Sequence, residues 1–114
     1  MNDADERIVL KTVARCERID AILEEYGRDF DAFLTDVAFQ DASCMNIIRI
    51  GELVGRFSDE LKARRPAAPW AQIRAASDYL TRDYDAVEPK IVWETVRRDV
   101  PALRGVLLEI LVEK

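Results

Sequence analysis

Apolar side chains recur along this chain at spacings of three and four and never settle into the alternation of a strand, so helix is predicted nearly from end to end. The first stripe is Val9, Val13, Cys16, Ile19, Leu23 and Tyr26. Asn2 or Asp3 precedes it as a cap, and Gly27 follows as a C-terminal stop. A second long helix is predicted from Phe30 or Asp36 to Phe57, broken near Thr35, with Val37, Cys44, Ile47, Ile48 and Leu53 as inward positions. Gly51 and Gly55 stand four apart in it, so a neighbouring helix should approach closely there. Ser58 caps a short turn, SDELKARR, that ends before Pro66 and Pro69. The next helix begins near Pro69 or Trp70 and carries Ile73, Ala76, Ser77, Leu80 and Tyr84 on one face. Pro89 suits the first turn of the helix after it. Asp99 followed by Pro101 predicts a restart or a kink in the C-terminal helix. The expected fold is all-α, a helical bundle of four to five main helices in one domain over residues 1–114.

Composition narrows the chemistry. The 114 residues include no histidine, so no imidazole can act as acid, base or metal ligand. The two cysteines, Cys16 and Cys44, lie among apolar helix positions without CxxC spacing and are expected as free buried thiols. No apolar run approaches 18 residues, and MNDADERIVLK opens with acids, so neither a membrane span nor a secretory signal is expected. A reducing cytoplasm fits. The net charge of −5 is uneven: residues 1–48 sum to −6 and residues 49–104 to +2. Non-specific nucleic-acid binding over the whole surface is thereby disfavoured, and a local basic patch is expected, if anywhere, in the second half.

The segment PWAQIRAASDYLTRDYDAVEPKIVW, residues 69–93, carries the candidate chemistry. Arg74, Asp78 and Arg82 follow each other at steps of four and predict one polar ladder on the helix. Such a ladder is either an ion network or an anion site in which two guanidiniums grip a phosphate. Asp78, Asp83 and Asp85 do not converge: positions 78 and 83 point about 140° apart on a helix, so no metal site is expected. Trp70 and Trp93 are expected in structural roles, and the pairs Arg64–Arg65 and Arg97–Arg98 as solvated helix ends.

From Ile47 to Leu111 the chain resembles the HepT-like branch of the HEPN superfamily. The resemblance rests on IIRIGELVGRFSDELK, the Pro69–Trp70 opening with Ile73, the Leu80…Asp83–Tyr84 close, and VWETVRRDVPALR. It implies a metal-independent endoribonuclease fold, a cytoplasmic homodimer and no cofactor. It also implies a toxin–antitoxin pairing in which a minimal nucleotidyltransferase antitoxin attaches AMP to a tyrosine. The family hallmark is an arginine, four to six residues, a histidine, one residue and a tyrosine. Here only the tyrosine matches, as Tyr84. Ser77 stands at the arginine position, Asp78 beside it, and Arg82 at the histidine position.

Those replacements change what the site can do. RNA cleavage through the 2′-hydroxyl gains roughly 10²- to 10⁴-fold from a group that can take and return a proton near neutrality. Arginine, with a pKa above about 12, can hold a phosphate or stabilise its charge but cannot be that base. The motif is therefore expected to be degenerate, with binding of RNA or of the antitoxin in place of cleavage. Two alternatives stay open: an active RNase using a relocated set, with Asp78 as base and Arg82 as phosphate clamp, and a purely structural helical module.

Overall fold

The computed structural model describes residues 1–113, all of whose regular elements are helical. Helix α1 spans Asp3–Glu25, α2 Phe30–Thr35, α3 Val37–Val54, α4 Asp59–Ala63 and α5 Trp70–Asp83. A 3₁₀ turn over Tyr84–Ala86 leads to α6, Pro89–Glu94. This runs through a π-turn, Thr95–Asp99, into α7, Val100–Glu113. The helical bundle of four to five main helices that the pattern predicts is present, with α1, α3, α5 and α7 as its long members. Its tightest neighbours are α3 with α5, α1 with α3, and α1 with α7.

The helix starts follow from local polar chemistry. Asn2 Oδ1 accepts the Asp5 N–H at 2.7 Å, and Asp3, Asp5 and Glu6 complement the positive end of α1. Ser58 Oγ accepts the Leu61 N–H at 3.1 Å while donating to Asp5 Oδ2 at 2.8 Å, which ties the head of α4 to the head of α1. At the end of α1, Gly27 takes a φ of 70° and Arg28 one of 56°. The non-glycine residue in this unfavourable region is held by ion pairs from its guanidinium to Asp20 and Glu24.

The predicted break near Thr35 falls at Asp36, whose carboxylate accepts the Phe39 N–H at 2.9 Å and so starts a new helix. That restart corrects one inward assignment. Val37 is 67% exposed, because the buried stripe of α3 begins at Phe39 and continues through Ser43, Ile47, Ile50 and Val54. Ile48 and Leu53 are half-buried at its edges.

The core runs through all four long helices: Val9, Cys16 and Ile19 of α1, Ile47 and Ile50 of α3, Ile73 and Leu80 of α5, and Leu103, Leu107 and Ile110 of α7. Both tryptophans are structural. Trp93 closes an aromatic cluster with Phe30, Phe33 and Phe39 at ring separations of 5.4–6.2 Å. Trp70 packs on Phe57, and its Nε1 donates to the Arg65 carbonyl at 3.0 Å. Cys16 and Cys44 are buried free thiols. No helix among the described residues is long and apolar enough to cross a membrane.

The α3–α5 seam positions the candidate chemistry. A methyl group on Gly51 would overlap the Cβ of Ser77, so the absence of a side chain lets α5 lie directly against α3. The paired glycines thus mark a close approach, as their spacing predicts.

Candidate functional site

Helix α5 presents its motif residues in three different environments. Ser77 is buried, and its Oγ donates to the Ile48 carbonyl of α3 at 3.2 Å. Arg74, half-buried one turn earlier, sends Nη1 to the Gly51 carbonyl at 2.7 Å and lies against Gly55. This guanidinium therefore neutralises carbonyls near the negative end of α3. Asp78 and Arg82, on later turns of the helix, are exposed.

The predicted ladder of Arg74, Asp78 and Arg82 is accordingly not assembled. Among the described residues no ion pair joins any two of them, and Arg74 is spent on backbone. The physical reason is competition. At the close α3–α5 seam a charge-assisted hydrogen bond to the Gly51 carbonyl is sheltered from water, whereas an ion pair with exposed Asp78 would be screened by it.

Tyr84 also departs from its predicted place. Helix α5 ends at Asp83, and Tyr84 opens the 3₁₀ turn, so it leaves the apolar face of Ile73, Ser77 and Leu80 and stands 39% exposed. Its hydroxyl donates to Asp41 Oδ1 of α3 at 2.7 Å. Partial burial of the ring, followed by the Asp41 hydrogen bond and the charges around it, pushes the phenol above its ordinary pKa of 10. At neutral pH the group is a protonated phenol whose proton already points at a carboxylate. That arrangement suits a hydroxyl nucleophile: the phenolic oxygen can bond to a phosphorus as the leaving group on that phosphorus departs with its electron pair, while Asp41 takes the phenolic proton. Nothing in the local sequence pattern points to Asp41. It lies 43 residues from Tyr84, and no spacing rule joins them.

The flanking arginines are committed elsewhere. Arg64 and Arg65 pair with Glu113, and Arg65 also with Glu109, which straps α4 to the end of α7. Arg97 and Arg98 belong to the π-turn, not to a helix end, and pair with Glu94 and Asp99. Among the described residues no three His, Cys, Asp or Glu side chains gather closely enough to hold a metal ion.

Comparison with known proteins then assigns the ancestry. The sequence model of the HepT-like ribonuclease family matches residues 14–110, which takes in both the α3–α5 seam and Tyr84. The chain belongs to that family. A relative of this HepT-like chain in Thermococcus cleftensis, named "Probable ribonuclease HepT", is 31% identical over 74% of this chain and 78% of its own length. Another, in Methanocaldococcus jannaschii, is named "Gamma-glutamylcyclotransferase and putative RNase" and is 33% identical over 81% of this chain. The HepT-like chain spans only 42% of that longer protein. No solved structure gives a significant match.

Proposed function

We propose that this HepT-like chain is the toxin-type component of a toxin–antitoxin module, works as a single-domain cytoplasmic homodimer, and has traded RNA cleavage for binding. The supporting observation is the contrast between the two ends of its motif. Ser77, at the arginine position, is sealed against α3 with its hydroxyl occupied, whereas Tyr84 is reachable from solvent with its hydroxyl aimed at Asp41. Arg82, at the histidine position, is exposed and can contact an RNA phosphate but cannot accept a proton. Tyr84 is then the AMP acceptor for a minimal nucleotidyltransferase, with Asp41 orienting the phenol. The homodimer draws support from α3, where Val37 (67% exposed) and Met45 (48%) flank Asp41 on one face and leave an apolar surface beside Tyr84. The alternative clamp of Arg74 with Arg82 is disfavoured by the commitment of Arg74 to Gly51.

The test combines two measurements on the folded protein. Labelled RNA is incubated with the wild type and with Arg82→Ala, with and without EDTA, and AMP transfer by the partner enzyme is followed on the wild type and Tyr84→Phe. The expected result is no cleavage, with AMP transfer that disappears in Tyr84→Phe. EDTA-resistant cleavage lost in Arg82→Ala would make the chain an active ribonuclease. In that case a further loss in Asp78→Asn would identify the base. Absence of cleavage, RNA retention and AMP transfer together would leave a structural module.

A further inference from the structure

A basic surface stands apart from Tyr84; there, three cations of the acidic first 48 residues meet two from the segment that follows. A groove of about 440 Å³ between α1 and α3 is lined by Lys11, Arg15 and Arg18 on one wall and by Arg49 and Arg56 on the other. Its one carboxylate, Glu52, is held by Arg49 at 3.1 Å. Among the described residues Lys11, Arg18 and Arg56 make no ion pair, and Arg15 makes only a 3.3 Å hydrogen bond to Asn46. Carboxylates are not scarce, since 22 acids face 17 bases over the chain. Elsewhere they have been used: Arg28, Arg64, Arg65, Arg97, Arg98 and Arg104 all have acidic partners. Lys11, Arg15 and Arg18 follow at steps of four and three, a spacing at which like charges weaken a helix. The groove therefore keeps its cations together against a local cost to the fold.

We propose that this groove binds the phosphate backbone of single-stranded RNA, at a site separate from the Tyr84 end of α5. Four of the five cations are arginines, whose planar forks grip phosphate oxygens bidentately. A rise of 1.5 Å per residue spreads Lys11 to Arg18 over about 10 Å, which suits a run of phosphates better than a single ion. The remaining lining, Ala14 and Leu53, offers no ring on which a base could stack, so recognition is of the backbone and not of sequence. The choice of RNA over another polyanion rests on the proposed function. The existence of the anion groove does not.

The test measures binding of a fluorescent single-stranded RNA across a salt series. The triple variant Lys11→Ala, Arg18→Ala, Arg56→Ala removes exposed side chains only. A matched-charge control, Lys62→Ala, Lys90→Ala, Arg97→Ala, removes the same charge elsewhere. Circular dichroism of both checks folding. At about 0.7 counterions per phosphate contact, the groove variant should lower the salt slope by about two and weaken binding on the order of tenfold at low salt, while the control changes little. Equal weakening in both variants, or in neither, overturns the groove. RNA affinity intact in the groove variant but lost in Arg82→Ala overturns the groove and leaves the proposed function standing. So does a wild type that binds no RNA yet accepts AMP on Tyr84. Loss of the nucleotidyltransferase with RNA binding intact would make the groove a protein-docking face and overturn the proposal.

Discussion

Replacing Gly51 by alanine should damage the seam that carries the motif helix. The added methyl would overlap the Cβ of Ser77, an atom fixed to the α5 backbone, and no rotamer change can relieve that contact. The helices must separate, at an overpacking cost of about 1–3 kcal/mol. Separation also stretches two bonds across the seam: Arg74 Nη1 to the Gly51 carbonyl at 2.7 Å and Ser77 Oγ to the Ile48 carbonyl at 3.2 Å. Weakening them adds roughly 1–3 kcal/mol, the larger share from the charged donor. Alanine returns at most about 1 kcal/mol through helix propensity. The net loss is then about 1–6 kcal/mol, or on the order of 4–24 °C in Tm for a domain of this size. Gly105 is the internal control: it is exposed on α7, and an added methyl meets nothing within 4 Å. Gly105→Ala should be neutral or stabilise by up to about 1 kcal/mol. Urea titrations of the two variants, read at constant m-value, decide the matter. A Gly51→Ala protein as stable as Gly105→Ala would refute the close-approach argument. So would failure of Ser77→Gly to relieve the Gly51→Ala defect.

Three further outcomes are expected. Asp41→Asn should lower the phenol pKa of Tyr84 toward its ordinary value, because it removes both a charged acceptor and a negative neighbour. An NMR titration of ring-labelled tyrosine would register this, and an unmoved resonance would dismiss the hydrogen bond. Burial pushes Cys16 up to about 12 and Cys44 to about 11, both above the value near 9 of an unfolded thiol. The unfolded chain therefore loses these protons first. This contribution is complete below pH 9 and is lost as pH rises toward 11 and 12, by at most about 1.4 kcal/mol per pH unit for each thiol. Urea midpoints should fall less steeply over that range in Cys16→Ala/Cys44→Ala, and parallel curves would count against it. Finally, Ser77→Arg combined with Arg82→His restores the family pattern. It should gain EDTA-resistant RNA cleavage if those two positions alone silence the chain, and continued inactivity would place the defect elsewhere.

Much of the fold could be read from the sequence because helix patterning is local. The stripe of Val9, Val13, Cys16, Ile19 and Leu23 became the buried face of α1, and Asn2, Ser58 and Pro89 start helices as their chemistry predicts. The misses share a cause. For Val37 and Tyr84 the helical phase does not extend across a point where the backbone restarts or tightens. Arg74 has spacing that points along its own helix, yet its guanidinium finds its partner in a carbonyl on α3. The basic groove was hidden by counting charge along the chain. The first 48 residues sum to −6, yet three of their cations share one face of α1 and meet Arg49 of α3 and Arg56 just beyond its end. Net charge per segment averages over opposite faces of a helix, whereas a ligand meets only one face.

The π-turn before Pro101 also bears on how one helix serves two neighbourhoods. Val92, Val96, Val100, Leu103, Leu107 and Ile110 keep an unbroken α-helical spacing, so a regular helix would aim all of them in one direction. The wider turn over Thr95–Asp99 takes in extra chain where Pro101 has no N–H to give, and it rotates the downstream half by roughly one residue's worth, about 100°. The early half therefore packs toward α2 and α5 and the late half toward α1. The turn is in effect a gear that re-indexes a single stripe between two partners. Tightening it to a regular α-turn at the same chain length would swing Leu103, Leu107 and Ile110 out of the core, whereas deleting one of its residues would restore a regular helix and leave them in place.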